Sequence, residues 1–213
     1  SPAADFRHLH MDKKAGGKGL WEFMRSNVRF CMMLLGVAVL FFTHNLITNF
    51  MINIVRNVGG DSSDMGSING VMALLEIPVM LMYERITRRV RCSATVRFAA
   101  MMFVLRALAI ALSPGIPGLY AAQILQAGSF ALITPALVQY VSLTIRPEDS
   151  AKGQSLSYSM TTLGSIFAGL FGGIMYDSLS VRTTLLIGSA VCLAGALLCF
   201  AFVEKTRSRA KAE

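Results

Sequence analysis

Six long apolar segments, separated by short polar ones, make up the pattern of hydrophobic and polar positions along the chain. Each segment is close in length to the about 20 apolar residues that a helix needs to cross the hydrocarbon core of a bilayer. The segments occupy residues 28–53, 66–83, 94–113, 118–144, 153–176 and 181–203. This pattern predicts an all-α integral membrane protein with six transmembrane helices, numbered here as spans 1 to 6.

The composition agrees with a membrane protein and argues against other classes. Hydrophobic residues make up 54% of the chain and charged residues 15%, whereas soluble chains carry about 25% charged residues. The net charge is +8, but the basic residues are not interleaved with the aromatic side chains that stack on nucleic-acid bases. We therefore expect neither a soluble enzyme nor a nucleic-acid partner.

Positive charge lies mostly on one side of the predicted spans. Of the 20 Lys and Arg residues, 17 fall in the N-terminal stretch, the segments after spans 2 and 4, and the C-terminal tail. The positive-inside rule assigns such segments to the cytoplasm. The sequence therefore predicts a multi-pass protein of the cell membrane with both termini cytoplasmic. We expect residues 1–19 to form a linker, residues 20–204 the six-helix domain and residues 205–213 a basic tail. The amphipathic stretch 19–30 is expected to contact membrane lipid.

Two ionisable residues lie deep inside the predicted spans. Glu76 is ten residues into span 2, and Arg106 is twelve residues into span 3 from the opposite side. At about 1.5 Å per residue, both lie near the bilayer midplane, where a charge costs about 2.5–3.5 kcal/mol. The two side chains are expected to pair. A solute or proton site is favoured over a purely structural ion pair, because apolar groups would fix the packing at lower cost.

Polar but mostly neutral residues mark two further helix faces. Asn45 and Asn49 are one turn apart on span 1, with His44 beside them, and they either line a cavity or bond a neighbouring helix. On span 4, Gln123 and Gln126 share a face at a spacing of three residues. They bond either another helix or a polyhydroxylated ligand.

Small residues repeat along span 5. Ser165, Gly169 and Gly173 follow one another at four-residue spacing, and Gly164 and Ala168 form a parallel row. Small residues at this spacing allow two helices to approach closely in a membrane. The pattern predicts close helix packing along span 5.

A series of short motifs resembles the C-terminal six-helix half of a major facilitator superfamily transporter. Within that superfamily, the likeness is to the lactose permease and nucleoside symporter-like branch. The motifs are Glu76-Ile-Pro78, the basic turn 84–89, Leu105-Arg106-Ala107, Gln139-Tyr140 and the segment 172–177. The resemblance implies half of a twelve-helix fold, built from two inverted three-helix repeats.

The same resemblance implies roles for particular residues. Residues at the places of Glu76 and Arg106 belong to the sugar and proton site of the lactose permease branch. On span 4, the His and Glu that handle protons in that branch are replaced by Gln126 and Ser129. If protons drive transport through this half, Glu76 is therefore the expected proton carrier.

The resemblance also identifies an incomplete copy of the family's cytoplasmic gating motif. This candidate gating loop keeps an acidic residue and three basic ones but lacks the motif's glycines. Its residues are Glu84, Arg85, Arg88 and Arg89.

The sequence as a whole predicts a secondary transporter half that moves a small polar solute, such as a sugar or nucleoside, by alternating access. The missing N-terminal half belongs to the same polypeptide or to a second chain, and proton coupling is left open. The alternative is a non-transporting membrane scaffold, sensor or assembly domain. No metal-ligand spacing, nucleophile elbow or phosphate-binding glycine loop is evident, so no cofactor, metal or enzymatic activity is predicted.

Overall fold

The structure of the protein is a computed structural model that describes residues 19–206. Within these residues, the regular elements are nine α-helices and one short 3-10 turn at Pro147–Asp149. The helices are α1 (Leu20–Ser26), α2 (Val28–Asn49), α3 (Met51–Asn57), α4 (Ser62–Arg89), α5 (Cys92–Ala111), α6 (Ile116–Gly128), α7 (Phe130–Thr144), α8 (Ser150–Ser178) and α9 (Val181–Phe202).

The described residues contain six helices that are long and apolar enough to cross a membrane, which confirms the predicted all-α fold with six spans. Spans 1, 2, 3, 5 and 6 correspond to α2, α4, α5, α8 and α9, and span 4 comprises α6 and α7 together. Two predicted spans are interrupted. The backbone leaves helical geometry at Phe50 (ψ 23°), so span 1 ends at Asn49, and at Ser129 (ψ −87°) in the middle of span 4. Pro135 lies after this break, inside α7.

Local hydrogen bonds explain where α4 begins. The Asp61 carboxylate accepts from the backbone N–H groups of Ser63 (2.8 Å) and Asp64 (3.1 Å), and the Asp64 carboxylate accepts from the backbone N–H of Asp61 (3.0 Å). This reciprocal capping box satisfies donors that have no partner inside the helix. The helix consequently starts four residues before the predicted span at residue 66.

The helices form a bundle with α2 and α5 inside and α4 and α8 at its margins. Helix α2 packs against α8 and α9, α5 packs against α9, α6 and α7, and α4 packs against α6 and α7. In the most apolar stretch of each span, 61% of the residues are buried in α2, but only 6% are buried in α4 and 17% in the span that contains α8. One face each of α4 and α8 is therefore left open by the six-helix unit.

Only one of the two rows of small residues on α8 makes a close helix contact. A Cβ atom added at Gly164 would collide with the α2 backbone at Ala38 and Phe42, and Ala168 in the same row is fully buried. Gly169 and Gly173, in contrast, have nothing within 4 Å of the corresponding position among the described residues. The row that contains Gly169 and Gly173 therefore makes no close contact among the described residues, because the rotation of α8 turns that row away from α2, and close packing of this row stays a prediction.

A second close approach joins α2 to α9. Cβ atoms built on Gly36 and Gly195 would each lie within 3.0 Å of the other residue's carbonyl oxygen (2.8 and 2.9 Å). These two glycines are in different spans, Gly36 on α2 and Gly195 on α9. Their pairing is a property of the assembled bundle.

The segment that follows α9 returns to the bundle and caps another helix. The Thr206 hydroxyl accepts from the backbone N–H of Ser93 (3.0 Å), in the first turn of α5, and Ser93 Oγ accepts from the Thr206 N–H (3.3 Å). The side chain of Arg91, at the N-cap of α5, makes no such bond. Arg97 also donates to the Val203 carbonyl (2.9 Å). Residues 203–206 therefore fix the end of α9 to the beginning of α5.

We expect Gly164→Ala to destabilise the bundle, because the added methyl group meets backbone atoms of α2 that cannot turn away. Overpacking of this kind costs about 1–3 kcal/mol. The matched variant Gly169→Ala places the same group in open space on the same helix, where alanine is better than glycine by about 0.5–1 kcal/mol. Thermal unfolding in detergent, followed by circular dichroism, should show a lower Tm for Gly164→Ala only. Equal Tm values would contradict the assigned α2–α8 contact.

Candidate functional site

Arg106 is a buried cation whose hydrogen-bond partners are neutral. Its side chain, on α5, is 1% exposed. Nη1 donates to Nδ1 of His44 (3.0 Å), and Nη2 donates to Oε1 of Gln123 (3.3 Å) and contacts the sulfur of Met72 (3.8 Å). The three partners come from α2, α6 and α4, so this one guanidinium connects four helices.

His44 is held in one orientation by aromatic rings and by Arg106. Its ring stacks on Phe130 with centroids 4.6 Å apart and an interplanar angle of 7°, and the Phe103 ring lies at 82° to it with centroids 5.9 Å apart. Because the guanidinium can only donate, Nδ1 of His44 acts as an acceptor in this bond. The imidazole is therefore neutral and carries its proton on Nε2 while the bond to Arg106 is present.

Glu76 is bonded to a glutamine and not to Arg106. Nε2 of Gln126 donates to Oε1 of Glu76 at 2.7 Å, a short bond of the charge-assisted kind. No ion pair between Glu76 and Arg106 occurs in the described part of the chain, so the expected direct pair is wrong for this conformation. The reason is that Gln123 and Gln126 share a face of α6. One presents its oxygen to the cation, and the other presents its amide nitrogen to the anion.

The two glutamines bring the predicted central residues into a single cluster that has unused hydrogen-bonding capacity. Among residues 19–206, Nε of Arg106, Nε2 of Gln123 and Oε1 of Gln126 are buried and have no hydrogen-bond partner in the protein. An unsatisfied buried polar group costs about 1–3 kcal/mol. The cluster thus retains two unpaired donors and one unpaired acceptor beside the half-buried carboxylate of Glu76. This combination of groups is suited to binding a polar molecule.

The predicted asparagines do not join this cluster through hydrogen bonds. Asn45 donates to the carbonyl of Phe41 (2.8 Å), one turn earlier on its own helix, and Asn49 is exposed at the end of α2. His44 points into the bundle, whereas its neighbour Asn45 is only half-buried. The structure therefore separates His44, which contacts Arg106, from the stripe with which it was grouped.

The candidate gating residues lie in a helix and not in a loop. Glu84, Arg85, Arg88 and Arg89 all belong to the last two turns of α4, which continues to Arg89. Glu84 Oε1 and Arg88 Nη2 are 2.9 Å apart as an exposed pair at four-residue spacing, a type worth about 0.3–0.5 kcal/mol. The apolar pattern ended span 2 too early, because the charged last turns leave the apolar region without ending the helix.

Several residues around the cluster were not predicted as site residues. Phe130 begins α7 directly after the break at Ser129, which places its ring on His44. Tyr83 donates to Oε1 of Gln139 at 2.6 Å, joining α4 to α7. Phe130 and Met72 have no distinguishing signal in an apolar span. A helix break inside span 4 is the feature that would have identified Phe130.

A double-mutant cycle should detect the bond between Glu76 and Gln126. We expect the free energies of unfolding of Glu76→Ala, Gln126→Ala and the double variant to give a coupling of about 1 kcal/mol, within the range for contacting polar pairs. The control cycle pairs Glu76→Ala with Gln123→Ala, on the same face of α6 but bonded to Arg106, and should give a clearly smaller value. Equal coupling in the two cycles would contradict the assigned partners.

Comparison with known proteins agrees with this architecture. The sequence model of the Major Facilitator Superfamily matches residues 33–213. A protein of Deinococcus radiodurans named "Putative sugar efflux transporter" is 26% identical over 151 residues, which cover 71% of this chain. The matched region spans 39% of the length of that relative. Since the family match covers five of the six spans completely and most of the first, the chain belongs to the Major Facilitator Superfamily.

Proposed function

We propose that this chain is one half of a secondary transporter that carries a small polar solute, such as a sugar or nucleoside, across the cell membrane by alternating access. The observation that carries the proposal is the buried cluster of Glu76, Gln126, Gln123 and Arg106 with its unpaired polar atoms. Intramembrane ionisable groups are costly, and in membrane proteins they mark solute and ion pathways.

The depth of the cluster supports a transport site. Glu76 lies near the middle of α4 (Ser62–Arg89), and Gln126 lies close to the break that divides span 4 (Ile116–Thr144). Transporters of this general design bind solute near the bilayer midplane, where helices are often discontinuous. A polar group at this depth is accessible from either side by a small rocking motion.

The kinds of unpaired atoms in the cluster favour a hydroxylated solute. A hydroxyl group donates one hydrogen bond and accepts two, so it pairs with the free amide nitrogen of Gln123 as well as with the free oxygen of Gln126. The Glu76 carboxylate adds a strong acceptor. The printed name of the Deinococcus radiodurans relative, a sugar efflux transporter, points to the same solute class for that protein.

A second six-helix half, in the same polypeptide or in another chain, completes the transporter in this proposal. The faces of α4 and α8 that the bundle leaves open carry large apolar side chains, among them Leu74, Leu81, Leu170 and Ile174. Gly169 and Gly173 lie on α8 between such residues and allow a close approach by another helix. With both termini cytoplasmic, as the positive charges indicate, a half in the same polypeptide joins through the segment before residue 20.

Uptake of sugars and nucleosides by proteoliposomes that contain the complete transporter tests the proposal. For a transported solute, Gln126→Leu should raise KM by at least about tenfold. The substitution removes the amide N–H that orients Glu76, and it also removes the amide oxygen that is free to accept a hydrogen bond from the solute. The control Gln154→Leu changes the same residue type on α8, where its amide bonds the Val138 carbonyl. If no solute shows saturable uptake, or if both variants have the KM of the unaltered protein, the site assignment is wrong.

Proton coupling through this half is tested by Glu76→Gln. The neutral amide keeps an oxygen that can accept from Gln126, but it cannot bind and release a proton. Uphill accumulation driven by a pH gradient should be lost, while solute exchange across the membrane should be retained. Glu148→Gln, in the exposed turn before α8, is the control. Uphill transport with an unchanged proton-to-solute ratio in Glu76→Gln would remove Glu76 as the proton carrier.

A further inference from the structure

A shallow apolar groove lies where α1 meets α2, and it shares no residue with the polar cluster. Its volume is about 260 Å³. The groove is lined by Trp21, Met24, Arg25, Val28, Cys31 and Met32. Arg25 is the charged residue of this lining, and the other five are apolar. Glu22 also lies on α1 but does not line the groove.

The groove is the beginning of a continuous apolar row that leads into span 1. Its residues recur at three- and four-residue spacing on both sides of the break at Asn27 (φ −123°, ψ 46°). Helical hydrogen bonds nevertheless cross this break, because the Asn27 N–H bonds the Phe23 carbonyl (3.0 Å) and the Cys31 N–H bonds the Asn27 carbonyl (3.0 Å). The row continues to Leu35, which is 45% exposed although it is well inside α2. Ten residues separate Arg25 from Leu35, a rise of about 15 Å. That distance is the depth of one leaflet of a hydrocarbon core about 30 Å thick.

The charge at the outer end of this row is available to a ligand. Among residues 19–206, the Arg25 guanidinium has no hydrogen-bond or ion-pair partner, whereas Arg29 contacts Glu204 (3.8 Å) and lines a different cavity. Trp21 is 76% exposed beside Arg25. Tryptophan and arginine are the residue types that prefer the level of the lipid headgroups.

We propose that this groove binds an anionic phospholipid. Its phosphate pairs with the Arg25 guanidinium, and one acyl chain lies along the row from Trp21 through Val28 and Met32 to Leu35. A phospholipid fits because the groove combines a cation that has no partner among the described residues with an apolar row of single-leaflet length. The site is independent of the solute and of the proposed transport function. Its effect is to hold the short helix α1 against the membrane at the entrance to span 1.

The only tryptophan of the chain lies in the groove, and this gives a direct measurement of binding. The 213-residue chain is reconstituted in bilayers that contain increasing fractions of brominated phosphatidylglycerol or brominated phosphatidylcholine, and quenching of Trp21 fluorescence is recorded. One basic residue near the surface contributes about 1 kcal/mol toward anionic lipid, so the anionic lipid should be preferred about fivefold. Arg25→Gln should reduce the preference to near one, and Arg29→Gln, the control of equal charge, should leave it unchanged.

Two results would overturn the proposal. Equal quenching by the two lipids in the unaltered protein would mean that Trp21 contacts only bulk lipid. Equal loss of preference in the Arg25 and Arg29 variants would mean that general surface charge, and not a site, attracts the lipid. If Arg25→Gln does not fold, Val28→Asp replaces it. This variant puts a negative charge into the groove at a position that is 55% exposed, and a preference that survives it would also overturn the proposal.

Discussion

A guanidinium group buried among apolar helices must have its hydrogen bonds supplied by the protein, and this requirement organises the centre of the bundle. The Arg106 guanidinium contacts a histidine on α2, a glutamine on α6 and a methionine sulfur on α4. The second glutamine of α6 then holds Glu76. The cation and the anion are thus bonded separately, through neutral groups that the proposed solute would replace. A direct ion pair between Glu76 and Arg106 would leave fewer free hydrogen-bonding atoms for the proposed polar solute.

The packing that surrounds this centre depends on small residues at two helix crossings. Gly164 on α8 and the glycine pair of α2 and α9 let three helices meet with almost no side-chain volume between them. Helix α2 is consequently buried, while α4 and α8 remain at the margins with one open face each. The carboxylate of the cluster belongs to one of these marginal helices, so a movement of α4 relative to α6 changes the bond between Glu76 and Gln126. This arrangement connects the packing of the bundle to the chemistry of the proposed site.

The ends of the bundle are stabilised differently from its centre. At the end of the bundle where the described residues begin and end, Thr206 caps α5, and Tyr140 accepts from the backbone N–H of Glu204 (2.9 Å). These bonds fasten the segment after α9 to α5 and α7. On the same side, α1 leads into α2 with Trp21 and Arg25 exposed. The segment after α9 and the exposed helix α1 therefore border the same surface of this multi-pass membrane protein.

The sequence by itself determined the number of spans, the class of fold and the depth of Glu76 and Arg106. These properties depend on hydrophobic length and on position along a single helix, and both can be counted from the residues. It also identified Gln123, Gln126 and His44 as polar residues inside spans. Only the tertiary structure decided that the glutamines separate the two charges, that His44 and not Asn45 meets Arg106, and that the Gly164 row and not the Gly169 row packs on α2. Each of these outcomes depends on the rotation of one helix about its axis relative to its neighbours. That rotation is set by the packing of the whole bundle, because in an apolar span nearly every face is hydrophobic enough to be turned inward.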